Sequence, residues 1–323
     1  MHEVKLSVII PTHNRVDSAL VTIEHLLRQR LPVEKMEIVV VANNCTDQTF
    51  DRVSNVLRGS SFRSRVVEEF RPGLNAARNR GAAESMGEIL AYLDDDTTMD
   101  TNYAESLLRA FSQTPADLIG ARTLLNWDLV ARPDFFRPTM DHLLSTSDLG
   151  DESIELFDHV GIVGANFAFR AEVYRVCGAF CDGLDRCGDQ LIGGGESEFV
   201  ERAIRMGYRA FYSPQPVVQH WVAPKRVQPK YLLSVAEGNA RGRTRQKQFD
   251  KTGQWIRSIV GNLYLYQKGV AISFLLTCLS RPSAALEARI RGRKGLGALK
   301  GLMDRIFGAF VLNAASEPSR GDR

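Results

Sequence analysis

Cysteine is scarce in this chain. Five thiols among 323 residues are too few for a disulfide framework and point to a reducing compartment. Cys177, Cys181 and Cys187 lie close together. Their C-x3-C-x5-C spacing lacks the tight pairs of a zinc site and a fourth ligand is not evident, so they read as free thiols. Long apolar runs are missing too. No stretch reaches ~18 uncharged apolar residues, the minimum for a spanning helix. The nearest, residues 259–279, is interrupted by Asn262, Gln267 and Lys268, which favours an interfacial or buried helix. The first apolar run, residues 6–10, ends at Pro11 and is too short for a signal peptide. No G-x-G-x-x-G follows it, which disfavours a nicotinamide dehydrogenase. No RNA- or DNA-binding motif accompanies the basic residues, so nucleic acid is not an expected partner.

What is present is an ordinary globular composition, 44% apolar and 24% charged. That excludes a disordered, collagen-like or coiled-coil chain. The length suits one large domain with an appendage, or two medium ones. Charge divides the same way. Residues 225–323 hold 19 Lys+Arg against 6 Asp+Glu, a net of +13, whereas residues 1–224 carry a net of −10. The acidic part should face a cation, and the basic part an anionic surface.

Strand and helix patterns alternate through the first half. Residues 6–10, 37–41, 65–67, 89–93 and 118–121 are short apolar, β-branched runs that read as strands. Residues 16–30, 46–57, 75–86 and 102–111 have helical spacing. This rhythm predicts an α/β, doubly wound sheet with ligands at the carboxyl ends of its strands. Residues 127–159 read as irregular, or as a mobile loop over the site. A strand-containing segment follows at 160–170 and a helix at 196–206. Two short strands, 209–212 and 217–219, surround Pro214 and Pro216. The α/β domain is expected to span residues 1–224, and a basic, mainly helical region residues 225–323.

Three acids, Asp94, Asp95 and Asp96, stand where the fourth strand exits. Adjacent carboxylates repel, so something must compensate. Mg2+ or Mn2+ prefers oxygen ligands and shares its shell with substrate phosphates. In extended backbone Asp94 and Asp96 point one way and Asp95 the other. The residues alone also allow a solvated acidic turn or a helix N-cap.

Four segments in order now carry a resemblance: Ser7-Val8-Ile9-Ile10-Pro11-Thr12-His13-Asn14-Arg15, Val40-Val41-Ala42-Asn43-Asn44-Cys45-Thr46-Asp47-Gln48-Thr49, Gly73-Leu74-Asn75-Ala76-Ala77-Arg78-Asn79-Arg80-Gly81, and Leu93-Asp94-Asp95-Asp96. Over roughly residues 5–221 the chain resembles the family 2 glycosyltransferases of the GT-A fold. The resemblance implies a GT-A-type mixed sheet and inverting transfer from a nucleoside-diphosphate sugar, with a divalent metal at an Asp-x-Asp motif. It makes Asp94 and Asp96 that motif's carboxylates, with Asp96 the direct ligand and His220, after the last strand, a further ligand. It assigns the nucleotide sugar to Pro11, Thr12, Asn14, Arg15, Arg71, Arg78, Asn79, Asp94 and Asp95. The family's base-reading Asp is replaced by Ala42, so Asn43 and Asn44 either take over its hydrogen bonds or shift the nucleobase preference. Asn166 and Arg170, with Gly161 and Gly164, fall where the family builds part of the donor or acceptor wall.

Inverting transfer needs a carboxylate to take the acceptor proton. The family places it in a Gly-rich segment opening a helix, here Gly193-Gly194-Gly195-Glu196-Ser197-Glu198. Glu196 is the expected base, with Glu198 and Asp189 in reserve; helix capping is the plain alternative. The basic region reads either as a surface for anionic lipid headgroups or as helices packed on the catalytic part. The first option suits a glycan or polyprenyl-linked acceptor in cell-surface polysaccharide or glycolipid assembly. The enzyme would then be cytoplasmic, peripheral on the inner membrane face. The rival is an inactive sugar-nucleotide-binding scaffold, which the altered base motif and Ala42 keep open. A sugar-1-phosphate nucleotidyltransferase is disfavoured, since its Gly-rich, Arg/Lys-bearing N-terminal motif is absent.

Overall fold

A computed structural model describes residues 4–184, 186, 187, 190–247 and 252–315. The chain divides into two compact units. One comprises Met1–Pro133, Arg137–Asp189 and Gly195–Val227; the other Asp134–Phe136, Gln190–Gly194 and Gln228–Arg323.

The first unit carries β1 (Leu6–Thr12), α1 (Val16–Leu27), β2 (Met36–Asn43), α2 (Thr49–Arg58), β3 (Arg63–Glu69), α3 (Leu74–Glu84) and β4 (Ile89–Leu93). After these come β5 (Thr97–Met99), α4 (Tyr103–Gln113), β6 (Leu118–Asn126), β7 (Ile154–Leu156), β8 (Asn166–Arg170), α5 (Ala171–Cys177), β9 (Arg186–Cys187), α6 (Gly195–Arg205) and β11 (Ala210–Trp221). The sheet runs β3-β2-β1-β4-β8-β6-β11-β5, with β7 also on β11. Strands β3, β2, β1 and β4 are parallel; β8 lies antiparallel between β4 and β6. It is the mixed α/β sheet that the sequence predicts.

Alternation along the strands explains the two layers. Leu6, Val8 and Ile10 of β1 and Ile38 and Val40 of β2 pack with Ile23 and Leu26 of α1, Val53 of α2 and Leu107 of α4. Ile9, Val39 and Val41 point to the other face, with Ala77 of α3, Val173 of α5 and Phe199 of α6. Strands buried on both faces need apolar residues at every position, which is why β1 and β2 read as continuous apolar runs. On the second face Tyr92, Phe167, Phe169, Phe180 and Phe199 form one aromatic cluster, with centroids as close as 4.5 Å. Gly81 lets α3 lie flush on the sheet. A Cβ there would come within 2.3 Å of the Ile9 side chain.

Three features differ from expectation. The two strands around Pro214 and Pro216 are one twelve-residue strand. Its register with β6 slips between Ser213 and Val218, and a bulge is where proline, lacking an N–H, is tolerated. Second, residues 127–159 are not wholly irregular. A 3-10 turn, Pro138–Leu144, buries Met140, Leu143 and Leu144. Third, the short elements β5 and α5 carry too few residues for periodicity to reveal them.

The second unit holds β10 (Gln190–Leu191), α7 (Pro229–Gln246), α8 (Thr252–Cys278) and α9 (Pro282–Ala315). Much of its charge is spent internally. Arg241 and Arg245 grip Asp304 at 2.6 and 2.7 Å, and Arg293 and Lys300 grip Glu237. These four cations are held by the unit's own acids, so the expected anionic surface cannot rest on the whole basic count.

Candidate active site

Parallel strands deliver their C-terminal loops to one edge of a sheet. Here those loops are Thr12–Arg15 after β1, Asn43–Asp47 after β2 and Asp94–Asp96 after β4, and β11 brings His220 to the same edge through its pairing with β5.

The turn between β4 and β5 is an acidic knot. Asp95 and Asp96 are 4% and 2% exposed, while Asp94 is half-buried. Thr12 donates its hydroxyl to Asp95 Oδ2 at 2.7 Å. Arg15 lies across two acids, 2.6 Å from Asp95 Oδ1 and 2.6 Å from Asp96 Oδ2. Arg226 reaches Asp96 Oδ2 at 3.0 Å. Burial pushes the Asp95 carboxyl up to about 7; Arg15 opposes this and Asp96 adds to it. For Asp96 burial acts upward too, but the guanidinium groups of Arg226 and Arg15 outweigh it and hold the group well below the usual carboxylate range.

His220 is buried, with Nδ1 3.0 Å from the Leu144 carbonyl. A carbonyl only accepts, so Nδ1 carries a proton and the neutral ring presents a lone pair at Nε2. That lone pair receives Arg226 at 2.9 Å and faces Asp96 Oδ1 at 3.0 Å. Asp96 Oδ1 is a buried oxygen with no donor of its own. Two acceptor atoms this close, with the oxygen unpartnered, call for a cation or a proton beside them. One atom each from Asp94, Asp96 and His220 lies within 4.8 Å of the others. Two carboxylates and an imidazole suit a hard divalent ion, and the orphaned oxygen marks where the donor set is unsatisfied.

A second carboxylate borders the same segment. Glu196, at the start of α6, lies 3.2 Å from Arg78. Arg78 is 2% exposed, with its guanidinium carbon 5.6 Å from the ring centroids of both Phe167 and Phe180, and donates to Asn75 Oδ1 at 3.2 Å. Gly164 passes so close that a Cβ would meet Arg78 at 2.4 Å and the Glu196 carboxyl at 3.7 Å. The neighbouring Ala165 carbonyl accepts the Asp94 N–H. Residues 164–165 therefore touch both Glu196 and the acidic knot.

Other expected residues have structural partners. Arg15, expected at phosphate or base, is committed to Asp95 and Asp96. Asn43, expected to read the base, donates to the Glu69 and Arg71 carbonyls at 3.1 and 2.7 Å and accepts the Gly73 N–H at 3.0 Å. It welds β2 to the loop before α3. Asn79 is bound through both amide atoms to the Phe180 backbone at 2.9 Å. Asn14 accepts the Thr46 N–H at 2.7 Å. Pro11 is buried at the end of β1, Asn44 is exposed, and Arg71 is exposed beside Glu69. Asn166 and Arg170 also have structural partners. Asn166 is buried, bonded to Tyr103 and to the Arg122 and Pro216 carbonyls; Arg170 holds the Ala116 carbonyl. Glu198 is clamped by Arg202 at 2.8 Å, and Asp189 lies outside the described residues.

Sequence reasoning missed Arg226, counted among the tail charges although it is 7% exposed inside the knot. Its spacing of six residues after His220 has no motif value; only the short turn Pro224–Val227 folds it back. Asn75 and Gly164 carried no signal beyond their neighbours.

The engaged amide of Asn43 makes a testable case. Asn43→Ala removes three hydrogen bonds to backbone groups, of which the Glu69 carbonyl keeps the Asn44 N–H, and should cost about 2–4 kcal/mol. A lower urea midpoint with unchanged nucleotide affinity is expected; lost nucleotide affinity at unchanged stability would return Asn43 to base recognition.

Residues 7–176 match the family model described as Glycosyl transferase family 2. Glucosyl-dolichyl phosphate glucuronosyltransferase of Haloferax volcanii is 25% identical over 234 residues, 71% of this chain and 73% of its own length. The mannosyltransferase PcManGT from Pyrobaculum calidifontis, solved with GDP-Man and Mn2+, superposes with a TM-score of 0.56 at 18% identity, covering 98% of this chain and 76% of that one. A solved fragment of S. aureus TarS bound to UDP gives 0.52 at 15% identity, over 99% of this chain and 94% of that one. Those identities carry the GT-A fold alone. The family match spans β1 to α5, the acidic knot included, over more than half the residues, and so the chain belongs to glycosyltransferase family 2.

Proposed function

We propose that this glycosyltransferase moves a sugar, with inversion, from a nucleoside-diphosphate donor to a lipid-linked or glycan acceptor. The observation that carries the reading is the orphaned Asp96 oxygen facing His220, in an acidic turn that residues 164–165 join to Glu196. Glu196 takes the proton from the acceptor hydroxyl as its oxygen attacks the anomeric carbon. The bond to the diphosphate breaks on the opposite face, and its electron pair leaves with the phosphate oxygen. Arg78 holds the Glu196 carboxylate in place. Mg2+ or Mn2+ bound by Asp94, Asp96 and His220 would offset the charge of the departing diphosphate. Arg15 and Arg226 brace the two buried acids of that site.

Residues 1–227, Arg226 included, serve as the catalytic part, and the basic region beyond them approaches an anionic membrane on the cytoplasmic side. Lipid linkage is supported by the glucosyl-dolichyl phosphate in the name of the Haloferax volcanii relative. A panel of nucleotide sugars with Mn2+ or Mg2+, scored by nucleoside-diphosphate release, tests the reading. At least one donor should turn over only with metal, and the anomeric configuration of the glycoside, read by NMR, should be opposite to the donor's. Donor binding without release for any member would instead mark an inactive scaffold, and retained configuration would overturn inversion.

A further inference from the structure

The helix α8 is built inside out. Its small and polar residues turn toward α9. Gly269 meets Gly292 closely enough that a Cβ on either could not be fitted without backbone contact, and Gly295 sits against the Asn262 carbonyl and the Tyr266 N–H. Ser273 is 2% exposed and accepts from Arg289 of α9 at 3.0 Å. The apolar residues turn outward instead. Val260 is 60% exposed and Phe274 72%, and Ile256, Leu263 and Val270 are exposed with them. At about 100° per residue these five fall within an arc of roughly 80°, on the side away from Asn262, Gly269 and Ser273. Arg257 and Lys268, both exposed, are eleven residues apart and so share one edge of that stripe. A helix facing water has the reverse arrangement.

By length and composition α8 is the one helix among the described residues that could cross a membrane. Its packing argues otherwise. The α9 positions against the middle of α8, Gly292 and Gly295, lie among Arg289, Arg291, Arg293 and Lys294. A crossing α8 would carry those four cations to the bilayer centre, where charge is strongly disfavoured. Lying flat, α8 buries its apolar arc among the acyl chains, keeps α9 on the water side and sets Arg257 and Lys268 at headgroup level.

We infer that the outward face of α8 is the docking surface for an anionic lipid bilayer, with the helix parallel to the membrane plane. This deepens the lipid-linked acceptor reading by naming the residues and orientation that bring the enzyme to such a substrate. The full chain should float with vesicles containing phosphatidylglycerol and bind pure phosphatidylcholine more weakly. Val260→Glu with Phe274→Glu should lower the bound fraction about tenfold or more, since two apolar side chains leave the lipid. Metal-dependent release of nucleoside diphosphate in vesicle-free buffer should not change. An impermeant maleimide added outside should label Arg291→Cys, at an exposed position of α9, on vesicle-bound protein that also carries Cys278→Ser, as mapped by mass spectrometry. Protection of Arg291→Cys by vesicles would mean a crossing helix and overturn the inference. So would wild-type flotation of the double variant, or a vesicle-free dimer that the double variant abolishes. Loss of donor turnover with flotation intact would sink the enzymatic reading alone.

Discussion

Asp96→Asn should remove metal-dependent glycosyl transfer by about a thousandfold or more, because several kcal/mol of charge stabilisation rest on that carboxylate. The substitution keeps the side-chain shape but leaves Arg15 and Arg226 around a neutral amide. Breaking a buried ion pair on one side costs about 3–5 kcal/mol, so stability must be followed alongside activity by urea unfolding. Asp94→Asn separates the two effects. Asp94 is half-buried and its carboxylate lies 3.8 Å from His220; neither Arg15 nor Arg226 pairs with it as they do with Asp96. Its loss should weaken Mn2+ binding, followed by calorimetry, with little change in the urea midpoint. Unaltered Mn2+ titration in both variants would remove Asp94 and Asp96 from the metal site.

Glu196→Gln should keep sugar-nucleotide affinity and lower turnover by about 10²–10⁴-fold. Glutamine preserves the shape and can still accept a hydrogen bond from Arg78, so the fold around Phe167 and Phe180 is retained. What disappears is the ability to take a proton. The acidic limb of the pH profile of kcat should vanish with it, which a merely structural role for Glu196 would not produce. Near-normal turnover would move the base to another carboxylate, with Asp189 next to be tested. Glu198 is the weaker alternative, because Arg202 binds both of its oxygens.

The main strands were legible because short apolar, β-branched runs between helical patterns have few other uses in a folded chain. The acidic triplet was legible for a related reason: repulsion among adjacent carboxylates has to be answered by something. What answers it was not legible. The sequence suggested a metal, a solvated turn or a helix N-cap, whereas Arg15 and Arg226 already neutralise much of the knot, one from the loop after β1 and one 130 residues beyond Asp96. Residue type also gave no sign of the backbone partners of Asn43 and Asn79. An asparagine in a nucleotide-type motif looks like a ligand group, yet both amides satisfy backbone atoms that would otherwise be buried unpaired.

By itself the amino-acid sequence determined the wound α/β sheet, the edge at which its loops converge, the residues that resemble a nucleotide-sugar motif and the excess of positive charge beyond Lys225. All of these follow from periodicity and residue type, which are local properties. Only the tertiary structure decided which cations meet which acids, that His220 turns its lone pair to Asp96, and that α8 shows its apolar side to the surroundings. Those outcomes depend on contacts between residues far apart in the chain, and packing, hydrogen bonding and charge pairing select them only once the elements are folded together.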